Sequence, residues 1–177
     1  MRTSCRHRSR AAPAAVLALS LLAVLSPDAP SHAEDLVAYA GSERAGTIVV
    51  RTGERRLYFT LGNGKALRYT VGVGKPGKQW AGRSRIVKKM LKPAFAPPKE
   101  VKRDIPTLPN YIRGGSPRNP LGAAALILAG GEYAIHGTNR PGSVGGFVSY
   151  GCIRMYNADV KKLYARVSVG TPVIVTR

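Results

Sequence analysis

Apolar and polar positions follow three different patterns along this chain. The first is a mostly apolar run, Ala11 to Leu25, preceded by Arg2, Arg6, Arg8 and Arg10 and followed by Ser31-His32-Ala33, with small residues where a signal peptidase cuts. The run is short for a bilayer span, so residues 1–33 read as a cleaved secretory signal, with an uncleaved anchor as the alternative. The second pattern begins at Thr47 and consists of short β-type runs, TIVVR, RRLYFTL and KALRYTVGV, separated by turns at Thr52-Gly53-Glu54 and Asn63-Gly64. Asn-Gly between alternating apolar residues predicts a hairpin, because both turn positions need positive φ. A β-meander is thus expected to open a domain over 47–177, with the small and polar residues 34–46 as a linker. The third pattern is helical: in NADVKKLYARVSVG, Val160, Leu163, Tyr164 and Val167 share one face. Asn157 is placed to cap that helix, Asp159 suits its first turn, and Gly170 is a stop.

Between these stretches the pattern is less regular. GRSRIVKKM alternates weakly and is basic, which predicts an edge strand whose lysines discourage further pairing. Prolines at 93, 97, 98, 106, 109, 117 and 120 then exclude any regular element of length, leaving a long excursion of the kind that often serves as a functional loop or lid. Phe95, Tyr111, Arg113 and Arg118 are its expected contacts to substrate, and a rigid surface loop without a role is the alternative. Ala124 to Ala129 suits a buried strand, a Gly130-Gly131 turn follows, and Tyr133 to His136 begins another strand. TPVIVTR closes the domain as a last strand. The fold class that follows is mainly β, with a short helix after Cys152.

Charge changes this picture at one point. The full chain carries +19; loss of residues 1–33 removes four arginines and one aspartate, leaving +16. Such a surface suits anionic envelope polymers, and export counts against nucleic acid. A solvated basic surface that only maintains solubility is the alternative. No stable membrane anchor is expected after processing.

Two segments carry candidate chemistry. Gly72-Val73-Gly74-Lys75-Pro76-Gly77-Lys78-Gln79 approaches a phosphate-binding loop, but Gln79 offers no hydroxyl for Mg²⁺ and Pro76 lacks an N–H, so it reads as a glycine-rich loop between strands. The other is the stretch from His136 to Cys152. After processing these would be the sole histidine and sole cysteine, and an unpaired thiol in an exported protein is informative. Taken singly, each is as well read as a core residue. Taken together they suit acyl transfer, in which an imidazole takes the thiol proton and backbone N–H groups near Tyr150, Gly151 and Cys152 face an oxyanion. No metal or cofactor is expected. Ser149 is either a support for the cysteine loop or a plain turn residue, and no acidic side chain is placed to orient His136.

The block Ile135-His136-Gly137-Thr138-Asn139, followed by Ser149-Tyr150-Gly151-Cys152-Ile153-Arg154-Met155, resembles the signature of the YkuD-type L,D-transpeptidases, in their ErfK/YbiS-like branch. Pro97-Pro98, the Asn119 to Gly122 segment, Asn157, Asp159 and the closing GTPVIV support the resemblance, which covers roughly Thr47 to Val175. It implies a β-sandwich-like domain that acts on peptidoglycan stem peptides, with Cys152 as nucleophile, His136 as base and the carbonyl of Gly137 orienting the imidazole. Gly151, Tyr150 and Ser149 would form or support the oxyanion site, and Arg154 and Asn139 would bind substrate. Arg154 is the first choice for a substrate carboxylate, against a structural role bonding backbone carbonyls. The chain departs from the pattern at Tyr150, where some members have histidine, at Arg154, where those members have asparagine, and at KQWAGRS, where a Thr-Pro-Thr-Gly element is usual. Two rival readings stay open: hydrolysis by the same thioester chemistry, giving an L,D-carboxypeptidase or amidase, and a non-catalytic basic protein that binds the cell wall.

Overall fold

The structure, a computed structural model, describes Met1, residues 34–131 and residues 133–177. The expected signal segment lies outside the described residues. The described residues form eleven strands and two α-helices, with one short 3-10 turn at Pro141–Ser143: β1 Asp35–Ala38, β2 Ile48–Arg51, β3 Arg56–Gly62, β4 Lys65–Thr70, β5 Val73–Gly74, β6 Gly82–Leu91, α1 Lys99–Asp104, β7 Ala124–Leu128, β8 Ala134–His136, β9 Phe147–Ser149, β10 Ile153–Arg154, α2 Asn157–Arg166 and β11 Pro172–Thr176. Nine strands join in the order β1-β4-β3-β2-β11-β6-β7-β8-β10, and β5 pairs with β9 separately.

Turn chemistry sets the first half. Asn63 and Gly64 have φ of 51° and 67°, the doubly positive pair that the hairpin between β3 and β4 needs. The second half hangs on β6. Its first residues pair antiparallel with β11 and its later ones with β7, with an irregularity between Ile86 and Lys88 where the strand passes from one set of partners to the other. The sheet therefore turns along a single long strand, and one apolar core fills the space. That core joins Ile48, Val50 and Leu57 from the first half to Leu126, Ile135 and Ile153 from the second, with Val160 and Leu163 of α2. This is the mainly β, sandwich-like arrangement expected, with the short helix after Cys152.

Three expectations need correction. Residues 34–46 are not a free linker: β1 pairs with β4 along its length, and Tyr39 joins Val49, Tyr58 and Ala66 in a second, smaller apolar cluster. The strap after β1 is tied down where Thr60 Oγ1 donates to the Arg44 carbonyl at 2.6 Å. The basic strand β6 is central rather than an edge, because both of its sides are paired. The proline-rich excursion contains α1, one short helix between Pro98 and Pro106. Elsewhere in the excursion, buried Asn119 gathers the chain, donating from Nδ2 to the carbonyls of Pro93 at 2.8 Å and Arg113 at 3.1 Å.

Candidate active site

Strand register brings the candidate residues together. β8 and β10 run parallel with Ile135 opposite Ile153 and His136 opposite Arg154. Side chains alternate along a strand, so Ile135 and Ile153 enter the core while His136 and Arg154 share the other face. Cys152 lies two residues before Arg154 and therefore joins that face beside Ala134, whose backbone N–H reaches the thiol. Imidazole, guanidinium and thiol thus occupy one patch built from two adjacent strands. Cys152 is half-buried and forms no disulfide.

His136 is 4% exposed, and its Nδ1 lies 2.6 Å from the carbonyl oxygen of Gly137. A carbonyl only accepts, so Nδ1 carries the proton and Nε2 keeps its lone pair. Burial draws the imidazole down to about 4; the Gly137 carbonyl opposes this and the Arg154 charge adds to it. Burial also pushes the Cys152 thiol up, against the Ala134 N–H and Arg154, which favour the thiolate. Both shifts favour the uncharged forms, a thiol and a neutral imidazole, at neutral pH.

The cysteine loop is fixed from both sides. Ser149 Oγ donates to the Cys152 carbonyl at 2.6 Å and accepts from the Gly151 N–H at 3.1 Å, so Ser149 supports the loop. The same bond occupies the Gly151 N–H, which is therefore not free to face an oxyanion. Gly151 has φ of 118°, and a Cβ there would lie 2.3 Å from the Tyr133 ring. Trp80 stacks on that ring at 4.9 Å and donates from Nε1 to the Gly151 carbonyl at 2.9 Å, so the KQWAGRS segment, which departs from the family pattern, contributes a support for the cysteine loop. On the other side Tyr150 is engaged with α1 and the glycine-rich loop. Its hydroxyl donates to Asp104 of α1 at 2.8 Å, and the Lys75 ammonium lies 3.8 Å from its ring centre. Lys75 and Lys78 also pair with Asp104 and Glu100, so the loop that imitates a phosphate site is instead a dock for α1.

Arg154 donates to Ser143 Oγ at 2.9 Å, while its Nε is buried with no partner among the described residues. Burial lowers its basicity, and the nearby Cys152 opposes that shift. Its guanidinium thus lies among the reactive groups rather than on backbone carbonyls. Asn139 lies elsewhere, exposed at a cleft of about 660 Å³ that Lys92, Ser116 and Lys161 also line and that none of Cys152, His136 or Arg154 reaches. In the excursion, Phe95 bridges to Ile112 and Tyr111 is 64% exposed.

Asn157 departs most from its expected part. The α2 cap position is Tyr156, with no side-chain cap, and Asn157 is the first helical residue. Its Oδ1 accepts from the N–H groups of Ala123 at 2.9 Å and Thr138 at 3.0 Å, and its Nδ2 donates to the Thr138 carbonyl at 2.8 Å. Cap propensity hid these long-range bonds, because Asn is common at helix starts for a local reason. The usable signal was the pair of glycines, Gly122 and Gly137, that leave room for this carboxamide.

Comparison with known proteins identifies the family. Residues 45–175 match the family model of the YkuD L,D-transpeptidase catalytic domain. The chain is 35% identical over 135 residues to the Probable L,D-transpeptidase ErfK/SrfK of Escherichia coli (strain K12), a match covering 71% of this chain and 42% of that protein. It is 32% identical over 162 residues to the Probable L,D-transpeptidase YcfS of the same strain, covering 86% and 46%. The chain thus spans less than half the length of these curated relatives. Among solved structures, an L,D-transpeptidase from Mycobacterium smegmatis aligns with TM-score 0.58 at 22% identity, over 74% of this chain and 58% of that one. The catalytic domain from E. faecium L,D-transpeptidase aligns with TM-score 0.59 at 20% identity, over 77% and 100%. The structural likenesses establish the fold, and the sequence match spans both His136 and Cys152: this chain belongs to the YkuD family of L,D-transpeptidase catalytic domains.

Proposed function

We propose that the protein is a peptidoglycan L,D-transpeptidase in which Cys152 is the nucleophile and His136 the general base. The carrying observation is the register of β8 and β10, which sets Arg154 opposite His136 with Cys152 just ahead of β10, while the Gly137 carbonyl leaves Nε2 as the imidazole's acceptor. Because the resting pair is neutral, His136 takes the thiol proton as sulfur attacks, rather than storing a thiolate beforehand. Attack falls on the amide carbonyl before the terminal D-alanine of a stem tetrapeptide. The amide C–N bond breaks, D-alanine leaves with the proton from His136, and a thioester remains on Cys152. An amine on a second stem peptide or on a protein then attacks. His136 takes its proton, the thioester opens to a new amide, and the thiol is restored. Arg154, whose charge acts on both Cys152 and His136, is assigned to a substrate carboxylate.

The setting of this reaction is the cell envelope, reached by export, and the basic surface suits anionic polymers there. Among the described residues no helix is long and apolar enough to cross a membrane. The test is incubation of the protein and its Cys152→Ala variant with disaccharide tetrapeptide, with products read by mass spectrometry. Cross-linked dimers and a thioester adduct are expected from the unsubstituted protein and neither from the variant. Dimers from Cys152→Ala would overturn the reading, trimmed tripeptides alone would make water the acceptor, and no product at all would favour a binding protein.

A further inference from the structure

The carbonyl that holds His136 and the N–H that Asn157 holds belong to one peptide unit. The Gly137 oxygen accepts from Nδ1, and the Thr138 N–H donates to Asn157 Oδ1. A trans peptide is planar and stiff, so fixing its N–H end fixes the direction of its C=O. The carboxamide cannot swing, because Oδ1 is shared with the Ala123 N–H and Nδ2 is tied to the Thr138 carbonyl. Its seat is shaped to it: a Cβ on either Gly122 or Gly137 would stand 2.2 Å from Oδ1.

We propose that Asn157 is the positioning residue for His136, acting through the Gly137–Thr138 peptide. Resting on the transpeptidase reading above, this inference supplies the third member that the side-chain inventory lacks. Other acyl-transfer sites set an acid or amide directly on the imidazole; here a peptide group stands between. Bonded at both ends, that peptide is polarised so that its carbonyl accepts more strongly, which holds the Nδ1–H tautomer and keeps Nε2 free for the thiol. The arrangement also explains the order of the chain after the nucleophile. β10 separates Cys152 from Asn157, and α2 starts at Asn157, so the segment that carries the thiol carries the clamp for its base.

The experiment compares the full chain with Asn157→Ala and Asn157→Asp. Alanine removes all three bonds, whereas aspartate keeps an acceptor for both N–H groups and replaces the donor to Thr138 with a carboxylate oxygen facing that carbonyl, a repulsion relieved when the carboxyl is protonated. The tautomer of His136 is read without substrate from ¹⁵N shifts of labelled histidine, assigned with His136→Gln, and kcat and KM are read on disaccharide tetrapeptide. The expected result is a single Nδ1–H tautomer in the unsubstituted protein and in Asn157→Asp, with kcat of the latter within about threefold. In Asn157→Ala the tautomers mix and kcat falls about tenfold or more, while KM stays within about twofold. Wild-type kcat and tautomer in Asn157→Ala overturn the proposal, as does an Asn157→Asp protein with mixed tautomers. If the alanine variant does not fold, the aspartate variant decides on its tautomer. Absence of any thioester in the unsubstituted protein would instead remove the transpeptidase reading, which the substrate-free spectrum distinguishes.

Discussion

A single methyl group on Gly151 would meet the Tyr133 ring and force a left-handed backbone onto a residue that resists it. Gly151→Ala is expected to cost roughly 1–3 kcal/mol in a denaturant titration and to lower acylation of Cys152 further than that loss explains, because the ring, Trp80 and the cysteine loop move together. The buried imidazole sets a second expectation. Its folded value of about 4 lies below the roughly 6.5 of an unfolded histidine, so between those values the unfolded chain binds more protons. The contribution is whole above pH ~6.5 and is lost as pH falls through about 4, and a gap of that width corresponds to roughly 3 kcal/mol. Urea titrations at pH 7 and pH 4 check this; in His136→Gln the part of the decline due to this group should vanish. At this scale the sequence showed His136, Gly137 and Cys152 through an ordered motif. It hid the carboxamide of Asn157, since hydrogen bonds to Ala123 and Thr138 leave no local periodicity.

Among the elements, α1 is the one held mainly by charge. It has no buried residue, and Glu100 and Asp104 tie it to Lys78, Lys75 and Tyr150. Exposed pairs of this sort contribute about 0–1 kcal/mol each. Glu100→Gln with Asp104→Asn should therefore leave global unfolding nearly unchanged while residues 99–108 are cut faster in limited proteolysis; salt should act on the unsubstituted protein in the same direction. Equal cleavage rates would show that α1 is held by other means. The sequence hides α1 because so short a helix between two prolines carries no apolar stripe, and it hides the central place of β6 because basic residues are also what guards an edge strand against pairing. On this strand they lie on open faces while the backbone pairs on both sides. By contrast β2, β3, β4 and α2 were legible, each being set by a nearby turn or a regular apolar face.

Over the whole molecule, positive and negative charges are sorted. Glu34, Asp35, Glu54, Glu100 and Asp104 all form ion pairs, whereas among the described residues no ion pair involves the exposed Arg83, Arg85 and Lys88 of β6. Binding to a soluble polyanion such as polyglutamate, measured by fluorescence anisotropy, should weaken steeply with salt and fall about tenfold when these three are changed to serine, with thioester formation intact. Loss of binding without salt dependence would refute a charge-driven contact. The largest feature beyond reach of the sequence was the parallel pairing of β2 with β11, whose partners stand more than a hundred positions apart. In the nine-stranded sheet β11 alone connects the strands before β5 to those from β6 onward. A ribosome makes that strand after the ten others. Until it emerges, the hairpins already made have no common sheet to join, so the nascent sheet stays unclosed and threadable while the ten other strands are made.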